Sequence, residues 1–295
     1  MQRIETHAAE VGGLPVRRAV PSHGRRMVGA WCFLDHLGPV EPRAGGGLHV
    51  GPHPHIGLQT FTWMIEGEVV HRDSLGNEQV IRPGEVNLMT AGRGISHSED
   101  SVAGGSGGLH ATQLWIALPE VERRRAPAFE HHARLPGFGL GGFRATLLAG
   151  RACGESSPVP VYSQLVGIDL TASGPAAEAL PLEPAFEYAV LVLTGSLTVA
   201  DEPLAPNVLL YLGRGRQELS LRSSGASRSI LVGGEPFGEE ILLWWNFVAR
   251  SREEIVSASA AWNAGSGSTA DYAFGEVHGS PSPRLSAPEV PLIRR

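Results

Sequence analysis

The feature that most constrains this chain is a short alternation of apolar and polar residues that turn residues interrupt at close intervals. The 38 glycines and 22 prolines are spread through all 295 residues instead of clustering. Segments 60–64, 86–89 and 111–118 show the alternation in the first half, and 188–193 and 208–212 show it in the second. Short alternating segments separated by turns are typical of strands, so the sequence predicts an all-β protein.

Chain length and segment order predict two domains. A single hydrophobic core rarely grows beyond about 250–300 residues, and two series of strand-like segments, matching in length and order, follow one another along this chain. Between them, 119–136 is charged and contains proline, which predicts a surface connection. We expect one barrel over residues 1–135 and a second over 136–295. The second should carry a short helix at 252–262 and a tail from Gly265 without regular structure.

Composition excludes several classes of function. The net charge is −6 and the densest basic run is Arg123–Arg125, which disfavours direct binding to nucleic acid. The sequence contains no lysine, so Schiff-base chemistry and a phosphate-loop lysine are excluded. No run of 18 apolar residues and no leader-like segment occur, and two cysteines do not form a disulfide framework. These features predict a cytoplasmic protein without membrane attachment.

Two glycine-rich motifs formally match sites of catalysis or phosphate binding. Residues 104–108 fit G-x-S-x-G, and residues 137–142 fit G-x-G-x-x-G. A nucleophile elbow needs a strand before it and a helix after it, and a dinucleotide fingerprint needs a βαβ unit. Neither context is present in the sequence, so we expect both segments to be loops.

Two pairs of candidate metal ligands stand out, each with a spacing of two residues. Residues 52–55 read Pro-His-Pro-His, and residues 94–99 end in His97-Ser98-Glu99. Side chains two apart on a strand share one face. A single His-x-His often arises by chance, and a lone strand histidine is more often a hydrogen-bonded or surface residue. Two such pairs on facing strands of a small barrel, however, could direct three nitrogens and one oxygen at a single point.

The distribution of histidine restricts such a site to the first barrel. The interval between His132 and His278, which holds the whole second strand series, contains none of the 12 histidines. We therefore predict that the second barrel is free of metal.

Longer motifs around these residues resemble the pirin family of the cupin superfamily. The matching segments are 33–39 (FLDHLGP), 52–57 (PHPHIG), 66–76 (EGEVVHRDSLG), 89–99 (MTAGRGISHSE) and, near the end, 234–237 (GEPF) with the region of Trp244 to Ile255. The resemblance covers most of the chain. It implies two tandem cupin barrels, jelly-roll-like in form, with one mononuclear metal site in the first.

The resemblance also implies the ligands and a reaction. The metal ligands carried over are His53, His55, His97 and Glu99. The wider cupin pattern has a glutamate ligand four residues after His-x-His, but this chain has Gln59 there, so the carboxylate must come from Glu99. Some members of the family open flavonols such as quercetin with dioxygen, and others are linked to transcriptional co-regulation through protein partners.

The donor set suggests the metal and further roles. Imidazole and carboxylate donors with open positions suit Fe(II), although Zn, Mn, Ni, Co or Cu would also bind. For a dioxygenase acting on an aromatic or enolisable small molecule, Glu99 would be both a ligand and the catalytic base. Around the metal, Gln59 could hydrogen-bond a ligand imidazole and His71 could face the pocket or, equally, solvent. Gln113 could line the barrel.

Two other functions remain open at this point. The protein could sense redox state through Fe(II) and Fe(III) and present a surface to a protein partner without turnover. It could also bind a small molecule without catalysis. The sequence does not distinguish them, and we expect a monomer because no long exposed apolar helix is predicted.

Overall fold

A computed structural model describes residues 1–40, 47–102, 108–265 and 271–290. Strands dominate, and the one helix in the described part lies near its end. The first half contains β1 (Gln2–Glu5), β2 (His7–Val11), β3 (Leu14–Val20), β4 (Trp31–Val40), β5 (His49–His55), β6 (Leu58–Glu66), β7 (Val69–Asp73), β8 (Glu78–Ile81), β9 (Val86–Thr90), β10 (Ile95–Ser101), β11 (Leu109–Ala117) and β12 (Ala128–His132).

The second half continues the strand series and ends with the helix. It contains β13 (Gly137–Leu140), β14 (Phe143–Ala152), β15 (Glu155–Ser156), β16 (Leu165–Ala172), β17 (Ala176–Pro181), β18 (Glu187–Thr194), β19 (Leu197–Val199), β20 (Glu202–Leu204), β21 (Val208–Gly213), β22 (Glu218–Ser223), β23 (Ser227–Gly234), β24 (Leu242–Trp244), β25 (Phe247–Ala249) and α1 (Arg252–Asn263).

Each half folds into a pair of packed antiparallel sheets. In the first barrel the sheet order is β12-β9-β6-β11-β4-β3-β2 against β5-β10-β7-β8. In the second it is β1-β21-β18-β23-β16-β14-β13, with β15 beside β14, against β17-β22-β19-β20. The predicted all-β class with tandem barrels and a short C-terminal helix is confirmed.

The strand pairing passes from one barrel to the other between β12 and β13, next to the proposed boundary at residue 135. Two segments cross this division. Strand β1 pairs with β21 in the second barrel, while the β24–β25 hairpin and α1 pack on the first barrel through a cluster that joins Ile56 to Phe247 and Trp262. Each barrel is therefore completed by residues from the other half of the chain.

A large apolar core lies between the two barrels. Phe61, Trp63 and Leu114 of the first barrel and Leu191 and Ile230 of the second belong to one buried cluster. Residues 59, 61, 63 and 65 of β6 point into this core, because alternate residues of a strand face opposite sides. The other face of β6 points into the first barrel, where the candidate site lies.

Two sequence predictions need correction. The predicted surface connection 119–136 contains β12, which pairs with β9 at the edge of the first sheet. Residues 137–142 are not a loop throughout, since 137–140 form β13 and pair with β14 around a turn at Gly141 and Gly142. The glycine run 104–107 lies outside the described residues. The tail was expected to lack regular structure, and residues 271–290 contain no strand or helix.

None of the helices among the described residues is long and apolar enough to cross a membrane. Cys32 is buried and Cys153 is exposed, and both are free thiols.

Candidate metal centre

Three histidines converge inside the first barrel. His53 and His55 lie two apart on β5, and β10 runs antiparallel beside it with His97 directly opposite His53. One ring nitrogen of each histidine lies within 4.8 Å of those of the other two, and all three residues are buried. The two pairs thus lie on neighbouring strands of one sheet, not on strands that face each other across the barrel.

Glycine makes the local backbone path possible. Gly57, just after His55, has φ of +69°, and a side chain there would collide with the carbonyl oxygen of Val248. Gly51, two residues before His53, lies so close to the carbonyl of Pro283 in the tail that a Cβ would meet it at 1.9 Å. The strand that carries both histidines is therefore enclosed by β25 and by the tail.

Backbone carbonyls orient two of the rings. Nδ1 of His53 lies 2.9 Å from the carbonyl oxygen of Gly51, and Nδ1 of His55 lies 3.0 Å from that of Asn246. Since a carbonyl can only accept, both Nδ1 atoms carry the proton and both Nε2 atoms keep a lone pair. Sequence reasoning could not have found these partners, because any residue type supplies a backbone carbonyl.

A carboxylate orients the third ring through an intervening histidine. Nε2 of His71 lies 3.2 Å from Oδ2 of Asp73, so this nitrogen donates and Nδ1 of His71 accepts. Nδ1 of His97 lies 3.3 Å from that acceptor and must donate to it. His71, stacked on Phe129 with ring centroids 4.3 Å apart, therefore supports His97 from behind. The same spacing of two that revealed the ligands could have revealed Asp73.

These assignments leave three ring lone pairs directed at one another. Nε2 of His55 and Nε2 of His97 lie 3.1 Å apart with no proton between them. Burial lowers the pKa of His53 to about 4, and burial with the neighbouring imidazoles lowers the pKa values of His55 and His97 well below 6.5. Neutral imidazoles whose lone pairs face each other repel, and a shared cation removes that repulsion. The donor set therefore fits a metal ion.

Glu99 lies on the same strand as His97 but not at the same point. A register shift after His97 places Glu99 opposite Val50, whereas regular pairing would place it opposite Gly51. Its carboxylate lies within 4.8 Å of ring nitrogens of His71 and His97. The other cluster consists of His53, His55 and His97 and does not include Glu99. Burial raises the pKa of Glu99 to about 7, and its Oε1 lies 3.5 Å from Oγ1 of Thr62.

Of the two glutamines predicted to lie near the metal, Gln113 lines the cavity and Gln59 does not. Gln59 does not hydrogen-bond a histidine, because it lies on the face of β6 that points between the barrels. Its amide nitrogen donates to Oγ1 of Thr90 and to the carbonyl of Pro160. Gln113 does line the interior of the barrel, where its Oε1 lies 2.7 Å from the hydroxyl of Thr62.

The histidines and Glu99 line a cavity of about 460 Å³. Its walls are mainly apolar and include Phe33 and Trp115, whose rings stack with centroids 4.0 Å apart. The C-terminal half contributes Trp245 and Leu285 to the same cavity. A largely apolar chamber with a few convergent polar groups is the usual form of a small-molecule site.

The protein has two tandem barrels, and one of them contains a histidine cluster able to hold a metal ion. This combination is that of a bicupin. Comparison with known proteins agrees. Residues 13–116 match the pirin family model and residues 167–267 match the model of the pirin C-terminal cupin domain. The chain belongs to the pirin family.

Individual relatives extend over nearly the whole chain. A Pseudomonas aeruginosa protein provisionally named quercetin 2,3-dioxygenase is 54% identical over 99% of this chain and 91% of its own length. A pirin-like protein of Caulobacter vibrioides is 39% identical over 92% of this chain and 96% of its own. The crystal structure of quercetin 2,3-dioxygenase from Acinetobacter baumannii, 46% identical, covers 100% of this chain and 97% of its own with a TM-score of 0.95.

Proposed function

We propose that this protein is a metal-dependent dioxygenase that opens flavonol-type substrates with dioxygen. The observation that carries the proposal is the set of three neutral imidazoles and Glu99, which line a largely apolar cavity of about 460 Å³. The names of the Pseudomonas and Acinetobacter relatives support the same reaction.

The residues that would hold the metal are His53, His55 and His97, each through Nε2, and Glu99 through its carboxylate. We propose Fe(II) as the native ion, because nitrogen and carboxylate donors with open positions are the usual arrangement for oxygen chemistry. Zn, Mn, Ni, Co and Cu suit the same donors. When bound, the ion would act as a Lewis acid toward the 3-hydroxyl and 4-carbonyl oxygens of the substrate and allow its reaction with dioxygen.

The side chains of the site have separate tasks. Burial raises the pKa of Glu99 to about 7 without metal, and a bound cation would lower it, so the group would be a carboxylate able to accept a proton. Glu99 would accept the proton of the 3-hydroxyl on a carboxylate oxygen. Once protonated, it would donate toward Oγ1 of Thr62, whose own proton goes to Oε1 of Gln113. Trp115 and Phe33, which are stacked on each other, would contact the substrate from the cavity wall, and the tail would keep bulk water away from the anion.

Oxygen consumption tests this function directly. Fe-loaded protein in an oxygen electrode should consume oxygen when quercetin is added, well above a buffer control. The His49→Ala protein is the matched control, because His49 is half exposed on the same strand and outside the cluster. It should keep the activity that His97→Ala loses. No uptake above buffer by the Fe-loaded protein would overturn the proposal.

Two further measurements examine the metal and the base. Anaerobic purification that yields fully occupied zinc, with no gain of activity after exchange to iron, would contradict Fe(II). A Glu99→Gln protein that retains metal and loses turnover would support the role of Glu99 as base, and unchanged turnover would remove it.

The cytoplasmic location, the monomeric state and the metal-free second barrel stay predictions.

A further inference from the structure

A row of polar side chains crosses the floor of the cavity, one from each of four neighbouring strands. Arg18 on β3 is paired in register with Asp35 on β4, which is paired with Gln113 on β11. Gln113 is in turn paired with Thr62 on β6, beside Glu99. At the usual spacing of ~4.8 Å between strands, the row extends for about 14 Å along the sheet.

Arg18 forms the end of this row away from the histidines. Its Nε and Nη2 donate to the two carboxylate oxygens of Asp35 at 2.8 and 2.7 Å, a two-pronged contact that holds the guanidinium rigid. Its Nη1 makes no hydrogen bond to any residue in the described ranges, and Arg18 lines the cavity. Nη1 of Arg18 is thus held in place and can donate a hydrogen bond to a ligand in the cavity.

Aromatic rings connect this donor to the histidines. The Arg18 guanidinium carbon lies 4.4 Å from the centroid of the Phe33 ring, and Phe33 is stacked on Trp115 at 4.0 Å. Trp115 meets His55 edge-on with centroids 5.2 Å apart. A row of rings therefore runs beside the polar row, from the imidazoles to the arginine.

The second barrel supplies an internal comparison. Arg228 donates to the two carboxylate oxygens of Asp169 at the same distances, 2.8 and 2.7 Å. The side chains of Arg228 and Asp169 are 23% and 3% exposed, and those of Arg18 and Asp35 are 26% and 2% exposed. Residues 228 and 169 are not among those that line the cavity. A structural role explains the second pair, whereas Arg18 and Asp35 also line the cavity.

We propose that Arg18 is a positioning residue that selects substrates by the end of the molecule farthest from the metal. This inference rests on the proposed function. The ligand class is a planar aromatic compound with two chelating oxygens at one end and a ring hydroxyl, or its anion, at the other. The distal oxygen accepts from Nη1 of Arg18, while the rings lie along Phe33 and Trp115.

Anaerobic equilibrium dialysis of the Fe-loaded protein tests the proposal without turnover. Quercetin carries distal ring hydroxyls, and 3-hydroxyflavone keeps the chelating oxygens without them. In Arg18→Gln, quercetin affinity should fall about ten-fold, the usual weight of a hydrogen bond to a charged group, while 3-hydroxyflavone affinity should change less than about two-fold. Arg17→Gln, exposed on the same strand, and Arg228→Gln should leave both affinities unchanged.

The Arg18→Gln/Asp35→Asn double variant avoids an unpaired buried carboxylate and should reproduce the loss of selectivity if the single variant is unstable. Equal losses for both ligands, no loss for either, or the same loss in Arg228→Gln would overturn the proposal. Oxygen uptake measured on the same samples separates the two claims. Selective binding without uptake would contradict the dioxygenase and leave Arg18 as a selecting residue, whereas uptake without selectivity would contradict only the role of Arg18.

Discussion

The two barrels share an architecture but differ in what fills them. The lumen of the second barrel is packed with apolar side chains from both of its sheets, among them Leu147, Val190 and Leu221. The first barrel instead holds buried histidines, the half-buried carboxylate of Glu99 and a cavity of about 460 Å³. Among the described residues, the groups able to hold a metal all lie in the first barrel.

This difference shows how one fold serves two purposes. A filled lumen stabilises the chain, because close-packed apolar side chains gain both burial and dispersion energy. An open lumen lined with neutral imidazoles gives up part of that stability for a binding site. The C-terminal half of the chain supplies β25 and the tail, which pack against the strand that carries His53 and His55.

The largest expected consequence is that acid destabilises the first barrel selectively when metal is removed. An unfolded histidine takes up a proton near pH 6.5, but buried His53 resists until about pH 4. Between these values the unfolded state binds more protons, so stability falls as pH falls. At about 1.36 kcal/mol per pKa unit, His53 alone should lower the free energy of unfolding by about 3 kcal/mol over this pH range. Glu99, whose pKa is raised, opposes this, but the other imidazoles outweigh one carboxyl.

Hydrogen exchange at pH 7 and pH 4.5, corrected for intrinsic rates and mapped to peptides, measures this in protein treated with a chelator. Peptides of the first barrel should lose protection at the lower pH while those of the second keep it. Equal loss in both barrels would contradict the account.

A packing comparison comes next in size. Leu221→Ala, in the filled lumen, should cost about 2–5 kcal/mol, because the vacated space cannot collapse. Met64→Ala, fully buried but beside the cavity, should cost near the lower end, about 2 kcal/mol, since fewer neighbouring atoms surround it. Calorimetric unfolding of both variants measures the difference. A greater cost for Met64→Ala would show that the first lumen is as tightly packed as the second.

The smallest of the three effects concerns the support behind His97. Asp73→Asn weakens the orientation of His71 and through it of His97, so metal affinity should fall about 10- to 100-fold. Competition with a chromophoric chelator gives the affinity. Asp201→Asn, exposed in the second barrel, is the control and should leave the affinity as it is. An unchanged affinity in Asp73→Asn would remove the supporting role.

The histidine cluster was predictable because strand periodicity is local. A spacing of two residues suffices to place His53 beside His55, and a second pair suggests convergence. The strand β12 was missed because all five of its residues are half buried, which erases the alternation that identifies a strand. The pairing of β1 with β21 was missed because its partners lie some 200 residues apart, and no local pattern reports such a contact.

The surroundings of the cluster escaped prediction for related reasons. The carbonyls of Gly51 and Asn246 belong to the backbone and carry no signal of residue type. Gln59 has the right spacing for the cupin position but lies on the wrong face of β6 for the lumen. Arg18 and Asp35 are 17 residues apart, so only the fold shows that they form the far end of the cavity.

The central claim is that His53, His55, His97 and Glu99 together hold one ion in the first barrel. Its most direct test is the iron content of anaerobically loaded wild-type and His97→Ala proteins, with His49→Ala as the control. We predict close to one equivalent in the wild type and the control, and close to none in His97→Ala. Full iron in His97→Ala, or a second equivalent that survives the substitution, would contradict the account.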